Sequence, residues 1–234
     1  MLFRSRLPAA SAAPANAGGA NATQVAARAQ RRAIDGIDVV SLPTGIKDVV
    51  TFRGSLNAGD IFNPPGNPAI ADLAAAMLDQ GTVGRDKFEV SGLLEQAGAT
   101  LTFNAGSHTL TFSGKCLRAD LATVLGLLVE QLRTPRFDPA EFSKVKKQVV
   151  GAYQRRMEET DFRGGNAFAR AVFPPGHPNH PPADEAYLAA VEAATLEEVK
   201  AFHAATYGPQ GARLVLVGDL DAAVIEQSLK RSEE

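Results

Sequence analysis

Apolar and polar residues alternate with a period of two along Ile37-Asp38-Val39-Val40 and again from Asp48 to Leu56. With Gly45 between them, the pattern predicts strand, turn, strand, and structure proper is expected to start near Ile37. Asn57-Ala58-Gly59-Asp60 ends that hairpin, and Pro64-Pro65-Gly66 makes a loop. From Pro68 to Leu78 the period lengthens to that of a helix, with Ile70, Leu73 and Met77 on one side and Gly81 as its C-cap. A second helix is expected from about Arg85 to Gln96, with Phe88, Leu93 and Leu94 inward and Gly98 stopping it. Thr100–Phe103 and Thr109–Gly114 alternate again, a hairpin around Ala105-Gly106-Ser107 with one strand near a sheet edge.

The second half reads mainly as helix. Leu121–Leu132 is amphipathic. Asp138-Pro139-Ala140-Glu141 supplies an acceptor at the N-cap, proline at N1 and glutamate at N3, so it opens a helix that runs to about Glu159. Phe162–Val172 is a further helix, and Pro174–Pro182 a long loop. Thr195-Leu196-Glu197-Glu198 is a capping box whose helix ends at Gly208-Pro209, and Arg213–Val217 reads as a buried strand before Gly218-Asp219. Hairpin, helices, hairpin, a run of helices and a last strand predict an α+β fold, a sheet with helices packed mainly on one face. No internal repeat is visible.

Composition narrows the class of function. The 234 residues suit one large domain or two small ones, and with 45% of them apolar there is material for a real core. A net charge of −2 gives no electrostatic reason to expect nucleic acid or an anionic membrane. No unbroken apolar run of about 18 residues exists to span a bilayer. The single cysteine, Cys116, excludes an internal disulfide and leaves the redox compartment open. Its place in an alternating stretch with Leu110 and Phe112 marks it as a small buried hydrophobe rather than a nucleophile.

Residues 1–33, rich in Ala, Pro, Gly, Asn and Arg, read as a disordered linker, flexible from Ala9 to Ala22, with the domain in residues 34–234. Leu7–Ala15, broken by Pro8 and Pro14, has no apolar centre for a signal peptide. The ends mirror each other. Leu2-Phe3-Arg4-Ser5 can be encoded by CTCTTCCGATCT, whose reverse complement encodes the residues of Arg231-Ser232-Glu233-Glu234. Translated sequencing adapters would leave this pair, so the expectation is an internal fragment, truncated at the C-terminal side. The raw nucleotide sequence tests it.

Six motifs in order carry a resemblance. They are Ala76-Met77-Leu78-Asp79-Gln80-Gly81-Thr82; Leu94-Glu95-Gln96-Ala97-Gly98-Ala99 with Phe103-Asn104-Ala105; and Pro135-Arg136-Phe137-Asp138. Phe173-Pro174-Pro175-Gly176-His177-Pro178, Tyr207-Gly208-Pro209 and Val217-Gly218-Asp219-Leu220-Asp221 follow. Over residues 30–230 the chain resembles the pitrilysin/insulinase-type zinc metallopeptidases. The match is to the inactive second copy of long tandem members, where an Arg-rich stretch such as Arg28-Ala29-Gln30-Arg31-Arg32 precedes the first strand.

Active members carry His-x-x-Glu-His on the first helix, two histidines holding zinc and the glutamate activating water. Counted back from Gly81-Thr82, those positions are Asp72, Ala75 and Ala76, and the later glutamate ligand aligns with Tyr153. The resemblance therefore implies no catalytic, cofactor or metal residue in this segment, with zinc expected in a catalytic partner half, fused or separate. The substrate-holding arginine and tyrosine of the family belong to a later domain, so no residue here inherits that role. The expected function is a non-catalytic wall of a peptide-binding chamber, supporting proteolysis by the partner. The alternatives are a structural assembly subunit, like the processing-peptidase-like core proteins of respiratory complexes, and a free-standing peptide-binding module. Similarity to secreted bacterial tandem members favours the periplasm.

The remaining polar groups have plainer readings. His177-x-x-His180 with Asp184 and Glu185 could be imagined as a metal cluster, but Pro-Pro-Gly-His-Pro-Asn-His-Pro-Pro reads as a proline-stiffened surface loop. His108 in a strand turn and His203 on an amphipathic helix read as structural or solvated. Gln154-Arg155-Arg156 with Glu158-Glu159 reads as a solvated helix face. Gly164-Gly165 lacks the strand-to-helix setting of a phosphate loop.

Overall fold

Alternation across a strand puts Val50, Phe52 and Leu56 on one face of the third strand and Thr51 and Arg53 on the other. The computed structural model, which describes residues 25–230, buries the first set and exposes the second. Ala9–Ala22 and the mirrored ends lie outside the described residues. Six strands form one sheet: β1 (Gln30–Ile34), β2 (Ile37–Pro43), β3 (Val49–Leu56), β4 (Thr100–Ala105), β5 (Leu110–Leu117) and β6 (Arg213–Gly218). Their order is β1-β2-β6-β3-β5-β4. The β2–β6 pair is parallel and the others are antiparallel. The expected strands and the α+β class are present, with a mixed sheet.

Two pairings between β3 and β5 interlock the sheet. Phe52 faces Gly114, and Gly54 faces Phe112. A Cβ on Gly54 would lie 2.2 Å from Phe112 Cζ, and one on Gly114 2.3 Å from Phe52 Cζ. Each ring thus occupies the room its cross-strand glycine leaves.

Residues 25–28 are helical ahead of β1, and eight longer α-helices follow it among the described residues: α1 (Ile70–Met77), α2 (Lys87–Gln96), α3 (Leu121–Arg133), α4 (Pro139–Met157), α5 (Thr160–Val172), α6 (Asp184–Ala193), α7 (Leu196–Thr206) and α8 (Ala222–Lys230). The core joins the inner sheet face to α1 and α3: Val50, Phe52, Leu110, Leu214 and Leu216 pack with Ile70, Leu73, Leu121 and Leu125 in one cluster. The opposite sheet face carries exposed Leu117 and Val215, so among the described residues helices cover one side only. Among the described residues no helix is long and apolar enough to cross a membrane.

The caps form as their sequences dictate. Asp138 accepts from the amides of Ala140 and Glu141, and Thr195 with Glu198 makes a reciprocal capping box. Gly81 and Gly98 both hold positive φ, at +99° and +54°. Several family motifs serve one another structurally. Arg136 N donates to Gly81 O, and buried Thr82 bridges to Pro135 and bonds Glu130. Gly218 has φ +141°, where a Cβ would lie 2.1 Å from Val49 O, so the Val-Gly-Asp turn tolerates no side chain there.

Five expectations change. The strand pair Ile37–Val40 and Asp48–Leu56 is not a hairpin, because β6 from the far end of the sequence inserts between β2 and β3. Structure begins before Ile37: β1 pairs β2 across a turn whose Asp35 and Gly36 both have positive φ. That Asp-Gly dipeptide is the signal for such a turn, but β1 buries only Ile34, so it shows no alternation. Strand β6 is buried on one face, with Arg213 and Val215 exposed on the other. Phe88 points to solvent at 74% exposure, and Val90 is the buried residue of α2. Helices α6 and α8 stand where no element was read.

Candidate functional site

Helix α1 buries Ile70, Leu73, Ala74 and Met77 in the core, which turns Asp72, Ala75 and Ala76 toward the flank it shares with α4. Helix α4 brings Tyr153 and Arg156, α6 brings Tyr187, and edge strand β4 closes the side with Phe103–Ala105. All of these line one cavity of about 230 Å3. Asp72, Ala75, Ala76 and Tyr153, the positions the sequence resemblance matches to the family's two histidines, general base and later glutamate, therefore line one cavity.

Their chemistry differs from a metal centre. Tyr187 Oη donates to Asp72 Oδ2 at 2.5 Å, and its ring stacks on Tyr153 with centroids 4.4 Å apart. Tyr153 Oη donates to Asp184 at 3.0 Å. Burial raises the Asp72 carboxyl above the ordinary range, opposed by the Tyr187 bond and by Arg156. Burial, then the neighbouring Asp184, pushes the Tyr153 phenol up to about 12. Zinc in this family needs three anionic or imidazole ligands. Of the three ligand positions that the resemblance gives, Ala76 has no donor, Tyr153 is a phenol held protonated, and Asp72 is a carboxylate engaged by a tyrosine; the general-base position is Ala75. The residues present do not fit the metal.

Tyr187 is the residue the sequence reading missed. Its helix carried a readable signal, Tyr187 and Val191 at i and i+4 in an Ala-rich run, and both are buried. Arg156, read as part of a solvated face, is exposed, yet its guanidinium lies over the Phe162 ring at 4.4 Å and beside Asp72. On the far side of Asp72 and Tyr187 lies a second, larger cavity of about 620 Å3, walled by Asp60, Asn63 and the loop bearing His177 and His180. Burial first, and the Asp72 charge second, push the Asp60 carboxyl up to about 7.

The other candidates are structural. His177 stacks on Phe173 at 4.6 Å and its Nδ1 accepts from Asn179 N, while His180 Nδ1 meets Phe173 O. Asp184 takes Arg170 and Tyr153. His203 bonds Leu132 O, and burial lowers its pKa. Burial pushes the Cys116 thiol up to about 11, far from thiolate chemistry. Gly164 and Gly165 lie within α5. Among the described residues no three His, Cys, Asp or Glu side chains gather that could hold a metal ion.

Known proteins share this architecture. The Helicobacter pylori protein named non-peptidase homolog YmxG is 26% identical over 192 residues, 81% of this chain and 42% of that protein. A peptidase M16 inactive domain from Pseudomonas fluorescens superposes with a TM-score of 0.77 at 22% identity, over 87% of this chain and 50% of that one. The periplasmic protease PqqL of Escherichia coli gives 0.75 at 16% identity, over 88% of this chain and 24% of that one. The chain spans half or less of the length of these relatives. The sequence profile of the insulinase family, peptidase family M16, matches residues 39–167, more than half of the 234 residues. The chain belongs to the insulinase (M16) peptidase family.

Proposed function

We propose that this chain is a non-catalytic half of an M16-type peptidase. In this reading it forms part of the wall of a peptide-binding chamber and supports cleavage by a partner half that carries His-x-x-Glu-His and zinc. The observation that carries the reading is the hydrogen bond from Tyr187 to Asp72, beside Ala75, Ala76 and Tyr153, at the helix position that the sequence resemblance matches to the family's first ligand. A metal position converted to a packed tyrosine pair keeps the scaffold and gives up the chemistry.

Two features suit a supporting role. Strand β4 is a sheet edge, with backbone groups able to pair an extended peptide, and it borders the altered site. The sheet face away from the helices is uncovered among the described residues. Likeness to a periplasmic protease supports the periplasm as the compartment.

The test pairs the purified chain with the product of a neighbouring or fused reading frame encoding His-x-x-Glu-His. Cleavage of a quenched fluorescent peptide should be absent with this chain alone, rise when the two are mixed, and vanish with chelator. No association and no stimulation would leave an assembly subunit as the better reading, and chelator-sensitive cleavage by this chain alone would overturn both.

A further inference from the structure

The outer face of the sheet is not uniform. Cross-strand register sets Arg31, Val40, Val215, Arg53 and Ser113 side by side in one row. The next row brings Leu42, Val217, Thr51 and Lys115 together, and the row on the other side sets Asp38 beside Arg213. Strands β5 and β4 are polar on this face, with Thr102 bonded to Ser113, as a solvated sheet face is. Strands β2 and β6 differ. Their outward Val40, Leu42, Val215 and Val217 form an apolar strip two strands wide, and Val215 is 41% exposed.

The strip has a cationic margin. Arg31 stands on its β1 side, Arg53 and Lys115 on its β3–β5 side, and Arg213 at one end. Asp38 is the one carboxylate on the outward side of the six strands, and Arg31 already donates to both of its oxygens, at 2.6 and 2.7 Å. Among the described residues Arg53 and Lys115 make no ion pair, while Arg31 and Arg213 share Asp38. The whole chain has a net charge of −2, so this face runs against the overall sign. Apolar side chains bordered by unneutralised charge on an uncovered face have the layout of an interface that lacks its partner.

The width of the strip selects the occupant. Arg31 and Arg53 are three strand spacings apart, about 14 Å at about 4.8 Å per spacing. A helix about 10 Å across fits between them along the strands. A second sheet would have to cover both arginines and desolvate them. We infer that the β2–β6 strip docks an acidic amphipathic helix of a partner protein, with its apolar stripe on the strip and its carboxylates toward Arg31 on one side and Arg53 and Lys115 on the other. Docking of this helix requires no catalytic half, so it stands or falls separately from the proposed function.

The experiment is fluorescence anisotropy of the whole chain with labelled peptides of about 18 residues, long enough to hold a helix. The first carries leucines at helical spacing flanked by glutamates, the second has lysine for every glutamate, and the third reorders the first to break the period. The first should bind, more weakly as salt rises, and the other two should bind at least roughly tenfold less well. Val215→Thr, which keeps a branched strand residue but puts a hydroxyl in the strip, should weaken the acidic peptide roughly threefold. Arg53→Glu with Lys115→Glu should weaken the acidic peptide by roughly tenfold or more and create binding of the lysine peptide, a gain that misfolding cannot produce. No binding of the acidic peptide, equal binding of the lysine or reordered peptide, or unchanged binding by the charge-reversed variant would overturn the inference. So would self-association of the wild type, lost in the charge-reversed variant, without peptide binding, since a second copy would then be the occupant. Sedimentation with phosphatidylglycerol vesicles in place of peptide binding would give the face to lipid and overturn it equally.

Discussion

The Tyr187 hydroxyl donates a 2.5 Å hydrogen bond to Asp72 Oδ2, and the Tyr187 ring stacks on Tyr153. Two positions that the sequence resemblance matches to metal-binding positions of the family, one on α1 and one on α4, are thereby joined through a third helix. The stack and the hydrogen bond use the side chains that a metal would have needed. Purified chain should accordingly hold no stoichiometric zinc after exhaustive dialysis. One tightly bound zinc per chain by elemental analysis would contradict this account.

The interlocked β3–β5 pair gives a stability prediction. A methyl group at 114 would meet Phe52 Cζ at 2.3 Å and Thr100 O at 2.6 Å. The ring could turn, but the carbonyl belongs to the β4 ladder and cannot. Gly114→Ala should cost about 1–3 kcal/mol in urea unfolding. Gly92→Ala, with open space around its Cβ on α2, should not destabilise the protein.

What the sequence disclosed follows the range of the forces involved. Caps such as Asp138 and Thr195 are local, so a few residues specify them, and the structure has them where the spacing puts them. The placement of β6 between β2 and β3 depends on pairing residues far apart, Val50 with Gly218 for example, and no local pattern encodes it. At this site, counting back from Gly81-Thr82 gave Asp72, Ala75 and Ala76, the resemblance gave Tyr153, and the structure sets all four around one cavity. Tyr187 and Asp60 join them only through tertiary packing of α6 and of the turn after β3.

Asp60 makes stability depend on pH in a definite direction. Its carboxyl is ordinary in the unfolded chain and raised to about 7 in the folded one, so the folded state binds the proton more tightly. The group costs nothing below about pH 4. Its cost grows as pH rises toward 7 and levels off above. Asp72 and Asp79 are raised in the same direction, so the wild-type profile alone does not isolate Asp60. The difference between Asp60→Asn and wild type does. The variant should gain thermal stability relative to wild type at pH 8 and lose that gain at pH 4. A gain that is flat across this range would rule out the assignment.

Edge strand β4 should report peptide engagement directly. Its partner β5 satisfies one side of the backbone, while the other side has no strand neighbour among the described residues. If an extended peptide adds there, amides in Thr100–Ala105 should exchange more slowly when peptide and the catalytic half are both present. Protection unchanged across that segment while cleavage is stimulated would remove β4 from the substrate path.

The altered site can also be run backward. Asp72→His, Ala75→Glu and Ala76→His together place two imidazoles at i and i+4 on the face of α1 that lines the smaller cavity. Weak zinc binding should appear, because two protein ligands leave coordination incomplete. Tyr153→Glu then removes the ring that supports Tyr187 and puts a carboxylate into the same cavity, which should tighten zinc by at least roughly tenfold. Ala152 lines that cavity as well, so it is the internal control for register. Tightening by Ala152→Glu but not by Tyr153→Glu would move the α4 alignment by one residue. No effect of either, in protein that still folds, would refute the correspondence between this cavity and the family's metal centre. Hydrolysis should remain poor even in the best variant. Tyr187 and Arg156 still crowd the space where water and substrate would have to be held, and no described residue orients the new imidazoles.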